Sequence, residues 1–289
     1  FGMGEGTEVG RGLPETVDFV QRWQGAADGR IKTVLGPHSP YACPADFLVT
    51  VAARSAELDV GLHLHLAEFR DQLEASLARH GKTPVRYLAD LGVLDRPTIA
   101  AHCIWITPED IALLAEKRTH VVQCPNTHMK LGMGVTPVPE LLAAGVNVAL
   151  GTDGPGSNND LDMLEECRLA TLLQKSHHLS PTILPAEDAL RLATRGGARA
   201  MGFAQSGAIA EGRPADLILL DLRKPHLRPR HNLLSNVVYA AKSPDVSYVI
   251  VDGQVLLKDG RLTTLDEERI LYEAEKRAFR MVNQDMHIV

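Results

Sequence analysis

Four short apolar runs of this chain each end on an ionisable residue. Run 31–36 leads to His38, run 58–66 carries His65 with Glu68 just beyond it, run 98–101 leads to His102, and run 146–150 leads to Asp153. Helix-like stretches separate them. One opens at Pro44, where a proline suits a first helical turn, and Thr107-Pro108-Glu109-Asp110 reads as an N-cap followed by a proline start. Others cover 69–79, 84–91, 138–144 before Gly145, 160–175, 185–193 and 195–203. Strands this apolar read as parallel strands buried on both faces. A βα barrel and a doubly wound sheet both satisfy the alternation. No G-x-G-x-x-G stands at a strand–helix junction, which argues against a dinucleotide fold. In a βα barrel, chemistry sits at the C-terminal strand ends, where these four residues fall.

The tail changes character. Short strand-like pieces at 207–209, 216–220, 246–251 and 253–258 have turns at Glu211-Gly212 and Asp252-Gly253, and 266–282 reads as an amphipathic helix. The expected division is a βα barrel over 1–204, a small β element over 205–265, and a C-terminal helix over 266–289.

Bulk properties narrow the function. The 289 residues are 45% hydrophobic, enough for a large core. Net charge is −6, from 36 acidic and 30 basic residues, and no Lys/Arg block stands out. That argues against nucleic acid or an anionic membrane as partner. Cys43, Cys103, Cys124 and Cys167 lack C-x-x-C spacing, which points to a reducing compartment and a cytoplasmic location. No apolar run reaches the ~18 residues of a membrane span.

The candidate residues have two readings each. His63 and His65 stand two apart, so on a strand they share a face. Neutral imidazoles suit Zn²⁺ or Fe²⁺, and a carboxylate beside them can move protons for an activated water. The same residues also describe a hydrogen-bonded histidine pair beside a surface glutamate. Asp153 is either a metal ligand or a turn aspartate bonded to its own backbone. His102 and His38 are either functional or satisfied core histidines. Cys103 and Cys124 read as core filler.

Longer motifs add a resemblance. His65-Leu66-Ala67-Glu68, Ala101-His102-Cys103, Pro125-Asn126-Thr127-His128-Met129-Lys130-Leu131-Gly132 and Gly151-Thr152-Asp153-Gly154-Pro155-Gly156-Ser157-Asn158-Asn159-Asp160 resemble the amidohydrolase superfamily. Within it they are most similar to the 5′-methylthioadenosine/S-adenosylhomocysteine deaminases and their triazine-chlorohydrolase relatives. Gly36-Pro37-His38-Ser39-Pro40-Tyr41 fits the same pattern. The resemblance implies a TIM-type (β/α)8 barrel with a small β-sandwich, a homo-oligomer, and one divalent metal, zinc before iron. It makes His65 and Asp153 metal ligands. Glu68 becomes the proton shuttle, His102 the residue that orients the attacking water, and His38, Glu68, Asp153 and Arg11 substrate contacts. His63 matches no required position. The implied reaction is hydrolytic deamination of a purine-type ring, a small-molecule substrate. Guanine, pterin or triazine deamination or dechlorination is the alternative, and a catalytically silent scaffold the second.

The chain also departs from the family. The family's first two ligands form a His-x-His pair on the first barrel strand, and no such pair precedes His38. By resemblance the first strand seen here is the fourth, and the four runs with a further strand at 120–124 make five, which do not close an eight-stranded barrel. The expectation is therefore the C-terminal part of a longer protein, whose upstream part holds the other ligands. Thr127-His128 stands where the family usually has Ser-Asn, on a loop bordering the substrate pocket.

Overall fold

A computed structural model describes residues 12–282; Arg11, the expected substrate-binding arginine, lies outside the described residues. Strands β1 (Val34–Leu35), β2 (Gly61–Leu66), β3 (Thr98–His102), β4 (His120–Gln123) and β5 (Val148–Leu150) form one parallel sheet in the order β1-β2-β3-β4-β5. A doubly wound sheet reverses its strand order at a switch point, whereas consecutive barrel strands keep sequence order. The order seen is the barrel one. The helices Ala45–Glu57, Arg70–His80, Pro84–Asp90, Pro108–Glu116, Val138–Ala143 and Met163–His178 fill the connections and follow β5.

The two faces of the sheet differ. Leu62, Leu64 and Leu66 of β2, with Ala100, Val121, Val148 and Leu150, join one core with Leu48, Val51, Leu88, Leu114, Leu141 and Ala170 from the helices. The opposite face of β2 carries Gly61, His63 and His65, and here His63 is exposed and His65 half-buried. Along β2 the two faces are therefore unlike. Its leucines alternate with histidines, and only the leucine face is covered by helices. Leu64→Ala is expected to cost about 2–5 kcal/mol in urea unfolding, because Leu64 is 2% exposed in this core.

Local chemistry explains most boundaries. The Thr107 hydroxyl accepts the Asp110 N–H and the Asp110 carboxylate accepts the Thr107 N–H, the expected cap closed into a capping box. The strand expected at 31–36 shortens to Val34–Leu35, because the Thr33 N–H donates to the Gln24 side chain instead of the ladder. The two helices expected at 185–193 and 195–203 are one continuous path. Ala186–Arg191 passes through a π-helical turn, Leu192–Gly196, into Gly197–Ala200. A Cβ on Gly196 would lie 2.2 Å from the Val148 carbonyl oxygen, so only glycine lets this turn lie against β5. The Gly207 region is a turn and not a strand, with φ +85° and backbone of Thr194 and Arg195 2.9 Å from where a Cβ would be.

A second compact unit comprises Ile209–Pro229 and the described residues from Lys242 on, while Arg230–Ala241 folds with the first unit. The helix Leu233–Tyr239 thus leaves the tail to which the sequence assigned it. In the second unit β6 (Leu217–Leu220), β7 (Val246–Val251), β8 (Gln254–Lys258) and β9 (Arg261–Leu262) form an antiparallel sheet in that order. Asp252 and Gly253 both adopt positive φ, as the two-residue β7–β8 hairpin requires. Asp266 caps the helix Glu267–Met281 by accepting the Arg269 N–H. Among the described residues no helix is long and apolar enough to cross a membrane.

Candidate active site

The register of the parallel sheet places the site. His65 pairs with Ala101, Ala101 with Val122, and Val122 with Ala149, so these residues share the face of β2 not covered by helices. Two residues on from Ala149 is Gly151, and two further is Asp153. A Cβ on Gly151 would meet Val122 Cγ1 at 2.9 Å and Cys124 Sγ at 3.5 Å, which explains a glycine in this close approach.

His102 reaches the site differently. It pairs with Leu66, whose side chain faces the core, so strict alternation would turn His102 away from His65. Its φ of +75° breaks that alternation, and its ring stacks on His65 with centroids 5.5 Å apart and planes 14° from parallel. Ala67, His102, Cys103 and Asp153 all have φ between 47° and 75°. Left-handed backbone at non-glycine residues is costly and clusters at functional sites. Here it sits at the C-terminal ends of β2, β3 and β5.

The imidazoles form a connected row. His38 and His65 rings are 4.5 Å apart, and His102 and His128 rings 5.3 Å apart. His65 N–H donates to the His38 carbonyl at 2.9 Å, and Nδ1 lies 2.8 Å from the same oxygen. A carbonyl accepts only, so the proton of a neutral His65 sits on Nδ1 and Nε2 keeps its lone pair. This is how a backbone acceptor orients a metal-ligating histidine. Burial, then the neighbouring His65, lowers the pKa of His38. Burial holds His102 down to about 4 against the opposing pull of Asp153.

Glu68 stands just past β2. Its Oε1 lies 3.9 Å from His102 Nε2, and Tyr41 donates to its Oε2 at 3.4 Å. Burial raises its carboxyl above the usual range, against the opposing charge of His65. The Asp153 charge acts on Glu68, His102 and Cys124, so it belongs to the same electrostatic site. Asp153 Oδ1 accepts the Gly154 N–H at 2.7 Å, the local bond of a turn aspartate. Among the described residues no cationic side chain pairs with Asp153.

The donor set suits a divalent cation: a half-buried imidazole with a free Nε2, a carboxylate without a cationic partner, and a second carboxyl beside them. His102, Cys124 and His128 also bring donor atoms within 4.8 Å of one another. There, however, His102 Nδ1 and His128 Nε2 are 3.0 Å apart and share a hydrogen bond. Burial also pushes the Cys124 thiol far above its usual range, which disfavours the thiolate a metal needs.

Two features of the site lie beyond the motif residues. Glu166, 1% exposed, accepts the Asn126 N–H and the Asn158 side-chain amide, and that amide also donates to the Thr152 carbonyl. One carboxyl thus ties the loop after β4 to the loop carrying Asp153. Its sequence signal is spacing, since Glu166 lies on the same buried stripe of its helix as Cys167, Ala170, Thr171 and Gln174. Burial raises its pKa to about 7. The folded state then binds a proton that the unfolded state releases above about 4.5, so this group's contribution falls as pH rises from 4.5 to 7. Glu166→Gln is expected to remove that dependence. Its stability relative to the parent should rise by about 1–3 kcal/mol across the window in urea unfolding at a series of pH values. The second feature is the His102–His128 contact itself. Sequence marks His128 as an unusual residue on a pocket loop but does not show what it touches.

Comparison with known proteins agrees with this geometry. Residues 12–256 match the model of the amidohydrolase family. A 5-methylthioadenosine/S-adenosylhomocysteine deaminase of Pelotomaculum thermopropionicum is 48% identical over 283 residues, 98% of this chain and 65% of that protein. One of Moorella thermoacetica is 50% identical over 266 residues, 92% of this chain and 62% of that protein. The chain thus spans less than two thirds of the length of these relatives. Among solved structures, an adenosine deaminase of Xanthomonas campestris with bound zinc superposes with TM-score 0.89 at 36% identity, covering 94% of this chain and 62% of that one. An atrazine chlorohydrolase of Arthrobacter aurescens complexed with zinc gives 0.85 at 28% identity, over 93% of this chain and 61% of that one. With its sequential parallel strands and its site at their C-terminal ends, this chain belongs to the amidohydrolase family.

Proposed function

We propose that the protein is a metal-dependent hydrolytic deaminase of a purine-type ring, an adenosine derivative such as methylthioadenosine or S-adenosylhomocysteine. The observation that carries this reading is the meeting of His65, Glu68 and His102 at adjacent strand ends, with Asp153 acting on Glu68 and His102. His65 Nε2 and the Asp153 carboxylate would hold one divalent cation, zinc as in the solved relatives. When bound, it supplies the Lewis acidity that brings an attacking water towards a pKa of ~7.

The chain's own groups do the rest. Asp153 accepts the water's proton and aims its oxygen at the ring carbon bearing the amine. Glu68 delivers a proton to the adjacent ring nitrogen, takes over the water's proton from Asp153 and passes it to the leaving amine. It then recovers the adduct hydroxyl's proton as the carbonyl forms, so ammonia departs neutral and both carboxyls return to their starting states. Burial shifts the Glu68 pKa upward, the direction that favours a carboxyl that both takes and gives a proton. His102 orients the water, and His38, whose lowered pKa keeps it neutral, contacts the substrate ring. Tyr41 holds the Glu68 carboxylate in place.

The experiment is a panel of methylthioadenosine, S-adenosylhomocysteine, adenosine, guanine, a pterin and a chlorotriazine, with ammonia and chloride both measured. It uses the protein as its gene encodes it. Ammonia released fastest from the adenosine derivatives is the expected result. Chloride release, or ammonia from guanine or the pterin alone, would move the protein to another activity of the fold, as the chlorohydrolase likeness allows. No turnover with no bound metal would make it a silent scaffold. On the same reading it works as a homo-oligomer in the cytoplasm, which sedimentation and cell fractionation test.

A further inference from the structure

The His102–His128 pair raises a question that the deaminase reading leaves open: which nitrogen of His102 carries its proton. Both rings are 1% exposed. With no hydrogen-bonded counter-ion at either ring, two imidazoles so deeply buried stay neutral. Two neutral rings in contact carry two protons, and only one can lie between His102 Nδ1 and His128 Nε2, which are 3.0 Å apart. The remaining nitrogens, His102 Nε2 and His128 Nδ1, have no hydrogen-bond partner. The pair therefore has two arrangements. In one, His102 Nδ1–H donates to His128, leaving His102 Nε2 bare and an N–H on His128 Nδ1. In the other, His128 Nε2–H donates to His102, leaving an N–H on His102 Nε2 and a bare His128 Nδ1.

Both ends favour the second. A buried N–H without an acceptor is rarer and costlier than a buried lone pair without a donor, so His128 Nδ1 is better left bare. At the other end, His102 Nε2 faces the Glu68 carboxylate at 3.9 Å, within the field of Asp153. Carboxylates at that distance favour a donor over a second lone pair. The ring of His128 is held by its own backbone, since its N–H donates to the Cys124 carbonyl and its carbonyl accepts the Met133 N–H. The His102 carbonyl accepts from the Thr136 hydroxyl at 2.7 Å, which fixes the other partner.

We propose that His128 is a positioning residue that sets the tautomer of His102, its Nε2–H donating to His102 Nδ1 so that His102 presents an N–H, and not a lone pair, to the reacting atoms. His102 then acts as a donor to the oxygen of the attacking water or of the tetrahedral adduct and takes no proton itself. That leaves Asp153 and Glu68 as the proton-accepting groups. The consequence for catalysis rests on the deaminase reading, but the tautomer does not.

The test is ¹⁵N NMR of protein labelled at histidine, with and without added zinc, each ring assigned by single substitution. The expected pattern is a bare Nδ1 and protonated Nε2 on His102, with a protonated Nε2 and bare Nδ1 on His128. The reverse pattern overturns the proposal, as does a metal-coordinated signal on His102 Nδ1. His128→Gln keeps an amide N–H near the position of Nε2 and should preserve both the His102 pattern and most of the turnover. His128→Leu should scramble the His102 tautomer and lower kcat by about 10–100-fold with little change in KM, the usual cost of removing such an orienting partner. A His128→Leu protein with the parent's His102 pattern overturns the proposal. If the NMR pattern is as expected while Glu68→Gln still releases ammonia at the parent rate, the proposal stands and the deaminase reading falls.

Discussion

Glu68→Gln is expected to lower ammonia release by at least about 10²–10⁴-fold while leaving metal content at the parent's level. The substitution keeps the shape and the Tyr41 contact but removes the group that carries protons to the ring nitrogen and to the amine. The ring must be protonated to become electrophilic, and the amine must be protonated to leave, so both halves of the reaction lose their acid. His102 does not substitute, because burial keeps its pKa near 4 and it is not protonated at neutral pH. Metal analysis beside the rate measurement separates this outcome from simple loss of the site. Retained turnover would refute the role of Glu68, and loss of metal along with turnover would make Glu68 a ligand instead.

The second large effect is expected from His65→Ala. Removing an orienting second partner typically weakens metal binding or activity about 10–100-fold, and removing the ligand itself should exceed that. The His65 ring also separates His38 from His102, so its loss leaves a gap in the row of rings. His65→Ala is therefore expected to weaken zinc binding more than about 100-fold in a competition titration, with turnover lost in parallel. His63→Ala, on the same face two residues earlier and exposed, should leave zinc affinity within a few-fold of the parent. Equal effects of the two substitutions would show that His65 has no special place in the site.

Legibility in the sequence followed the range of the interactions. Strand β3 ends at His102 as its apolar run implied, and Thr107 caps its helix as its motif implied, because short apolar runs and caps are local. The parallel sheet was legible for the same reason. The direction of the His102 side chain was not, because it depends on a left-handed residue at a strand end, and no pattern of twos foretells where alternation breaks. Glu166 was missed as well, since its partners Asn126 and Asn158 come together only when the β4 and β5 loops pack on its helix. The return of Leu233–Tyr239 to the first unit is likewise a tertiary fact, supported by its packing against the helices Ala186–Arg191 and Met163–His178.

The roles given to His65 and Asp153 came from motif resemblance, and geometry adds a reason for the first. The His38 carbonyl that fixes the His65 ring lies on the strand-end loop beside β2, contributed by Gly36-Pro37-His38, so the loop that brings the substrate contact also sets the ligand's tautomer.

Anomalous diffraction at the zinc edge, from crystals of the protein loaded with zinc, tests the central claim most directly. A single peak at His65 Nε2 and the Asp153 carboxylate, with Glu68 and His102 beside it but not bonded to it, is the expected result. A peak between His102, Cys124 and His128 instead, or none near His65, would contradict it.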